Sequence, residues 1–198
     1  MNLTTSWQRC WTGLVGSAND ELKESLIAAW NEPQRHYHTL QHLSECLQLF
    51  DQYQHLAERP HEVELAIWFH DAIYDVKGKH NELKSAQWAE HELEKAGVDS
   101  EIALRVYDLI MATVHGMVET ETKDQQLLVD IDLAILGSRP KRFAQYEKQV
   151  REEYRFVPYP IYWWKRRQIL KEFLERKPIY QLPEFQEKFE QQARENLS

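Results

Sequence analysis

Cysteine, glycine and proline are all scarce in this chain of 198 residues, with two, six and seven copies. Two cysteines, Cys10 and Cys46, are too few for a disulfide framework or a Cys-type zinc site. Few glycines and prolines leave few turn signals, so long helices with short connections are the economical reading. Long apolar runs are missing as well: nothing approaches the ~18 uninterrupted apolar residues that span a bilayer, and residues 1–16 lack a basic start followed by an apolar core. These absences describe a soluble, cytoplasmic chain without a membrane partner. Strand signals are equally thin, because no segment sustains an apolar/polar alternation.

What is abundant is aromatic. Seven Trp, nine Tyr and seven Phe supply large areas to bury, and a helical core is where most of them are expected. The formal net charge is −8, unevenly spread: residues 139–177 hold twelve Lys and Arg against five Asp and Glu, a balance of +7, which leaves −15 for the rest. An acidic chain with one basic region is a poor general nucleic-acid binder, but a basic wall can hold a phosphorylated substrate.

Apolar residues recur at spacings of three and four almost everywhere, which makes the fold class all-α. Residues 7–15 form a short opening helix, and Leu22, Leu26 and Trp30 mark a second one that Pro33 ends. Leu40, Leu43, Leu47 and Phe50 define a helix from about 39 to 56. A helix over 62–74 is apolar almost all round and is the candidate for the buried centre. Further helices are expected over 81–96, closed by Gly97, from 99 or 100 towards 116, over 127–136, from Pro140 through Tyr154, over 161–177, and from Pro183 onward. One domain fits the length, with a core over about 35–137 and a C-terminal helical extension over about 138–198.

The strongest chemical signal is Trp68-Phe69-His70-Asp71-Ala72, an imidazole and a carboxylate side by side in the most apolar helix. An ionised carboxylate in apolar surroundings is costly unless it is paired or ligates a cation, and a metal ion satisfies both side chains at once. Upstream, His36-Tyr37-His38-Thr39-Leu40-Gln41-His42 supplies three of the nine histidines. If the helix includes all of 37–42, His38 and His42 stand one turn apart on one face; if it starts at Thr39, His38 lies at the mouth and His42 alone points inward. Downstream, Val129-Asp130-Ile131-Asp132-Leu133 again sets carboxylates in an apolar helix, and the rotation between Asp130 and Asp132 lets one of the two face a given ion.

The order His42, then His70-Asp71 after 28 residues, then Asp132 after a further 61, resembles the His…His-Asp…Asp pattern of the HD superfamily of metal-dependent phosphohydrolases over about residues 35–137. The chain looks closest to small bacterial proteins described as predicted HD phosphohydrolases. That resemblance implies an HD-domain helical bundle with additional C-terminal helices, and it implies His42, His70, Asp71 and Asp132 as ligands of one divalent ion (Mn, Fe, Ni, Co, Zn or Mg). Asp132 is preferred to Asp130 because the family's last aspartate sits in a context like Ile131-Asp132-Leu133. Tyr37-His38-Thr39-Leu40-Gln41-His42 is also similar to the Tyr-His-Asn-x-x-His segment of cyclic-nucleotide phosphodiesterases, with Thr39 in place of Asn, which suggests His38 as a general acid.

The activity implied is hydrolysis of a nucleotide or other small phosphoester by metal-activated water. Asp75, one turn after Asp71, is the candidate to orient that water. His115, at a helix end, is a candidate contact to the phosphate or a second ion, as His80 and His91 are on weaker grounds. Arg139, Arg142 and Arg151 are the candidate phosphate ligands, since guanidinium matches phosphate oxygens bidentately. The alternatives are a diiron HD-type oxygenase, since a minority of the superfamily binds two irons, and a non-catalytic nucleotide-binding or regulatory module. A homodimer is compatible with the sequence.

Overall fold

The computed structural model describes residues 2–114 and 120–198, so the candidate His115 lies outside the described residues. Among these residues there are ten α-helices and no strand, which makes the protein all-α. By backbone contacts the chain divides into two compact units, residues 1–129 and 130–198, and the division falls inside one continuous helix.

The first unit contains α1 (Leu3–Val15), α2 (Asp20–Trp30), α3 (Leu40–Tyr53), α4 (Pro60–Phe69), α5 (Asn81–Lys95), α6 (Ser100–Met111) and most of α7 (Lys123–Leu133). Its centre is α4, which touches α1, α3, α5 and α6. Every residue from Glu62 to Phe69 is buried, as an apolar surface running round the whole helix requires. Trp7 stacks on Trp11 with centroids 5.2 Å apart and meets Trp68 edge-on, so part of the aromatic surplus is core.

The two acids of α4 are buried with dedicated partners. Glu64 accepts from Ser6 Oγ at 2.6 Å and from both Nε and Nη2 of Arg9 at 2.7 Å; Glu62 takes the bidentate guanidinium of Arg105 on α6. These pairs lock α4 to α1 and to α6. Asp124, in the first turn of α7, accepts the backbone N–H groups of Glu58 and Arg59 just before α4 begins, which serves donors that a helix start leaves without intrahelical partners.

The helix expected over 62–74 is shorter than the pattern implied. It stops at Phe69, with His70 as its C-cap, so His70 and Asp71 lie at the helix end instead of within it. The apolar Ala72 and Ile73 continue as a turn because distant side chains take their backbone groups: the fully buried Ser85 of α5 accepts the Ile73 N–H at 3.0 Å. Asp75 is consequently on a loop and not one helical turn beyond Asp71. The α5 helix ends as expected, with Gly97 in the left-handed region at φ 78.

The second unit carries α8 (Pro140–Glu153), α9 (Tyr159–Glu175) and α10 (Pro183–Leu197). Its anchor is Asp130, fully buried, whose carboxylate accepts the Gln181 N–H at 2.9 and 3.0 Å and the Leu182 N–H at 2.7 Å. Burial pushes the Asp130 carboxyl up to about 7, against the pull of those two N–H groups. The contact fixes the chain where it enters α10, and Tyr180 Oη completes it by donating to the Leu133 carbonyl at 3.1 Å. Gly137 lets α10 approach: a Cβ there would meet the Phe189 carbonyl oxygen at 2.6 Å. Replacing Asp130 by Ala takes the acceptor from the buried Leu182 N–H and the part-buried Gln181 N–H at about 1–3 kcal/mol each. The expected loss is about 3 kcal/mol, read as a lower urea midpoint at unchanged m-value, with Asp130→Asn falling between variant and wild type.

Candidate metal centre

The site forms where the start of α3 meets the end of α4. Thr39 is the N-cap of α3, its Oγ1 accepting from the Gln41 N–H, and this settles the register left open by the sequence. His42 is inside the first turns and 2% exposed, whereas His38 precedes the helix and is half-buried. The His38 ring stacks on Tyr74 at 4.0 Å and meets Tyr37 edge-on at 4.8 Å, with its centroid 6.1 Å from that of His42.

His70, also 2% exposed, is oriented through its far nitrogen: Nδ1 lies 2.8 Å from the Ile67 carbonyl, a contact that requires Nδ1–H and leaves Nε2 with its lone pair in the neutral ring. That Nε2 faces His42 Nε2 at 3.3 Å. Asp71 Oδ2 stands 3.3 Å from His70 Nε2 and 3.8 Å from His42 Nε2. Two nitrogens each ~2.1 Å from one ion are separated by about 3.0–3.4 Å, depending on the angle, so the imidazole pair has the spacing of co-ligands. Ligand atoms of His42, Cys46, His70 and Asp132 also lie within 4.8 Å of one another, a group that can hold a metal ion. Asp132 is carried on α7, the helix that Asp124 ties to the start of α4.

The choice between Asp130 and Asp132 has a structural basis. Asp130 is consumed by the backbone of residues 181 and 182, and Asp132 is the carboxylate of α7 in the cluster.

Cys46 is the member that sequence reasoning set aside. It sits four residues after His42 on α3, and its Sγ is 3.6 Å from His42 Nδ1 and 3.8 Å from Nε2. The thiol is thus a potential ligand beside the two imidazoles and Asp132. A His-x-x-x-Cys spacing on one helix face was the available signal.

Arg35 was missed entirely. Its side chain is fully buried. Nη1 donates to the Asp71 carbonyl at 2.6 Å and the His38 carbonyl at 3.3 Å, Nη2 to the Ala72 carbonyl at 2.8 Å, and Nε to Glu32 at 2.9 Å. The guanidinium lies over the rings of Trp30 (5.7 Å) and Tyr74 (5.5 Å). One side chain thus joins the backbone of the His38 segment to that of the His70-Asp71 turn, and Trp30 Nε1 adds a bond to the Trp68 carbonyl at 2.9 Å.

The other candidates occupy varied positions. Asp75 is exposed, its Oδ1 accepting the Lys77 N–H at 2.9 Å in a local turn. His80 and His91 are exposed. Arg139 is exposed at the N-cap of α8, and Arg142 donates to Gln149 Oε1 at 3.1 Å. Arg151 donates to the Tyr154 and Val157 carbonyls at 2.6 and 3.2 Å and lies 4.7 Å from the Tyr162 ring centre, so its fork is occupied in holding the connection from α8 to α9.

No family model, curated protein or solved structure matches the chain. The geometry of the centre therefore stands on its own chemistry.

Arg35→Lys keeps the charge but cannot span three carbonyls. Metal affinity is expected to fall by roughly 10–100-fold, the usual consequence of losing a group that orients ligands, while the far-UV circular dichroism stays that of wild type. Isothermal titration of the metal-stripped proteins with Zn²⁺ and Mn²⁺ measures it.

Proposed function

We propose that the protein is a divalent-metal phosphohydrolase of HD type, acting on a nucleotide or other small phosphoester. The observation that carries this reading is the set of buried, neutral-capable imidazoles 3.3 Å apart with the Asp71 carboxylate against both. The order of His42, His70-Asp71 and Asp132 along the chain agrees with it.

The donor set fits the ion. Mixed imidazole and carboxylate ligands suit first-row divalent metals, and His42, His70, Asp71 and Asp132 would hold the ion with room left for water and a phosphate oxygen. A bound ion would lower the pKa of its water and polarise the phosphoryl group. The remaining work belongs to the chain. The Ile67 carbonyl holds the His70 tautomer, Arg35 fixes the turn that aims Asp71, and the aromatic packing of Trp30 and Tyr37 on His42 keeps water off its ring. His38, outside the ligand set and stacked on Tyr74, is the candidate to hand a proton to the leaving oxygen.

The test is metal analysis of purified protein, then a screen of phosphomonoesters and nucleotides with Mn²⁺, Ni²⁺ and Mg²⁺. Bound transition metal and phosphate release are expected, and Asp71→Ala should lose both. His38→Ala should keep the metal and lose most of kcat. Full activity and metal content in Asp71→Ala would refute the reading, and so would a wild-type protein that binds no divalent ion.

A further inference from the structure

Seven large apolar side chains stand exposed among the described residues, and six of them lie between Phe156 and Ile169: Phe156, Tyr159, Ile161, Trp163, Trp164 and Ile169. Core demand does not account for this. The α9 helix is anchored by one stripe, Tyr162, Arg166 and Phe173, with Arg166 Nε on Glu147 at 3.0 Å and its guanidinium 4.9 Å from the Tyr146 ring centre. On the outward side Ile161 and Trp164, three residues apart, share a face, and Trp164 is 61% exposed. Beside the helix runs a cleft of about 1020 Å³ walled by Phe143, Trp163, Leu170, Leu174 and Leu197.

We infer that this face is where a second copy of the chain docks, with the two α9 helices antiparallel. Area and charge both favour it. Ile161, Trp163 and Trp164, about 200 Å² each and roughly half exposed, offer about 300 Å², which the apolar walls of the cleft extend towards the ~800 Å² per partner of a standard interface. Trp, Tyr and Arg are also the residue types that dominate such interfaces. The charges set the direction. Residues 154–171 contain five Lys and Arg and no carboxylate, and Glu172 and Glu175 follow at the end of the helix. A two-fold axis across α9 brings Lys165 and Arg167 of one copy towards Glu172 and Glu175 of the other, whereas a parallel pairing sets cation on cation. The same axis offers the exposed aromatics of each copy to the cleft of its partner.

Light scattering and sedimentation equilibrium over micromolar concentrations should give a mass of two chains. Trp164→Glu is expected to weaken association by roughly 30-fold or more, the loss typical of a central aromatic, with circular dichroism unchanged because the side chain is mostly solvated. Leu104→Glu, at the one large exposed apolar residue outside this segment among the described residues, should leave association intact. Arg167→Glu should weaken the dimer, and adding Glu172→Arg should restore it. A wild-type monomer at every concentration overturns the inference, as does a dimer indifferent to Trp164→Glu. Vesicles of phosphatidylcholine and phosphatidylglycerol provide the remaining arm: a monomer that sediments with them through Trp164 would make an anionic lipid surface the occupant and overturn the second copy.

Discussion

A helix end buried in protein leaves carbonyl groups that water cannot reach, and the end of α4 is such a place. The helix is enclosed from Glu62 to Phe69, so whatever receives the carbonyls just beyond it must itself be brought inside. Arg35 does this, taking those of Asp71 and Ala72 together, and its own charge is balanced by Glu32. A guanidinium with five donors in a fixed plane can bind several carbonyls where an ammonium cannot. The consequence is positional: the backbone of the His70-Asp71 pair is held from one side, and its side chains are directed to the other, towards His42.

Four buried acids and the half-buried Asp71 differ in what they face. Glu62 and Glu64 face arginines, and Asp124 and Asp130 face backbone N–H groups. Each of these serves packing, and its charge is met by donors built into the fold. Asp71 faces two imidazole nitrogens instead, one of which belongs to a ring whose other nitrogen is already committed as a donor. The His70 Nε2 lone pair and a carboxylate oxygen converge there beside His42 Nε2. A cation would suit that convergence, so a carboxylate reads as structural at position 130 and as a candidate ligand at position 71.

Periodicity was enough to make the helices legible, because each has a face whose apolar spacing survives in the sequence, and the adjacency of His70 and Asp71 in an apolar run was enough to mark the centre. Boundaries were harder where long-range donors decide them. Nothing local to Ala72 and Ile73 ends α4; Arg35 and Ser85, from 37 and 12 residues away, take their backbone groups. Arg35 itself looks ordinary in sequence, since only the fold brings it under the turn. Cys46 was overlooked for a different reason: cysteines were weighed by number, and a single thiol one turn from a histidine escapes a count. The aromatic surplus was read as core, which holds for Trp7, Trp11, Trp30 and Trp68 and fails for Trp163 and Trp164. Composition reports how much apolar surface a chain carries, not which side of the fold receives it.

Charge balance narrows what the centre can accept. As ligands, neutral His42 and His70 would bring no charge, Asp71 and Asp132 would bring one negative charge each, and Cys46 would add none as a thiol. Arg35 does not enter this balance, because Glu32 neutralises it locally and its donors point at carbonyls. A divalent ion would take the cluster to zero, while a monovalent or trivalent ion would leave a unit of charge among residues of which two are 2% exposed. The cost of an unbalanced charge rises steeply as water is excluded. The burial of the two imidazoles beside these half-buried carboxylates is thus the property that would favour a divalent ion.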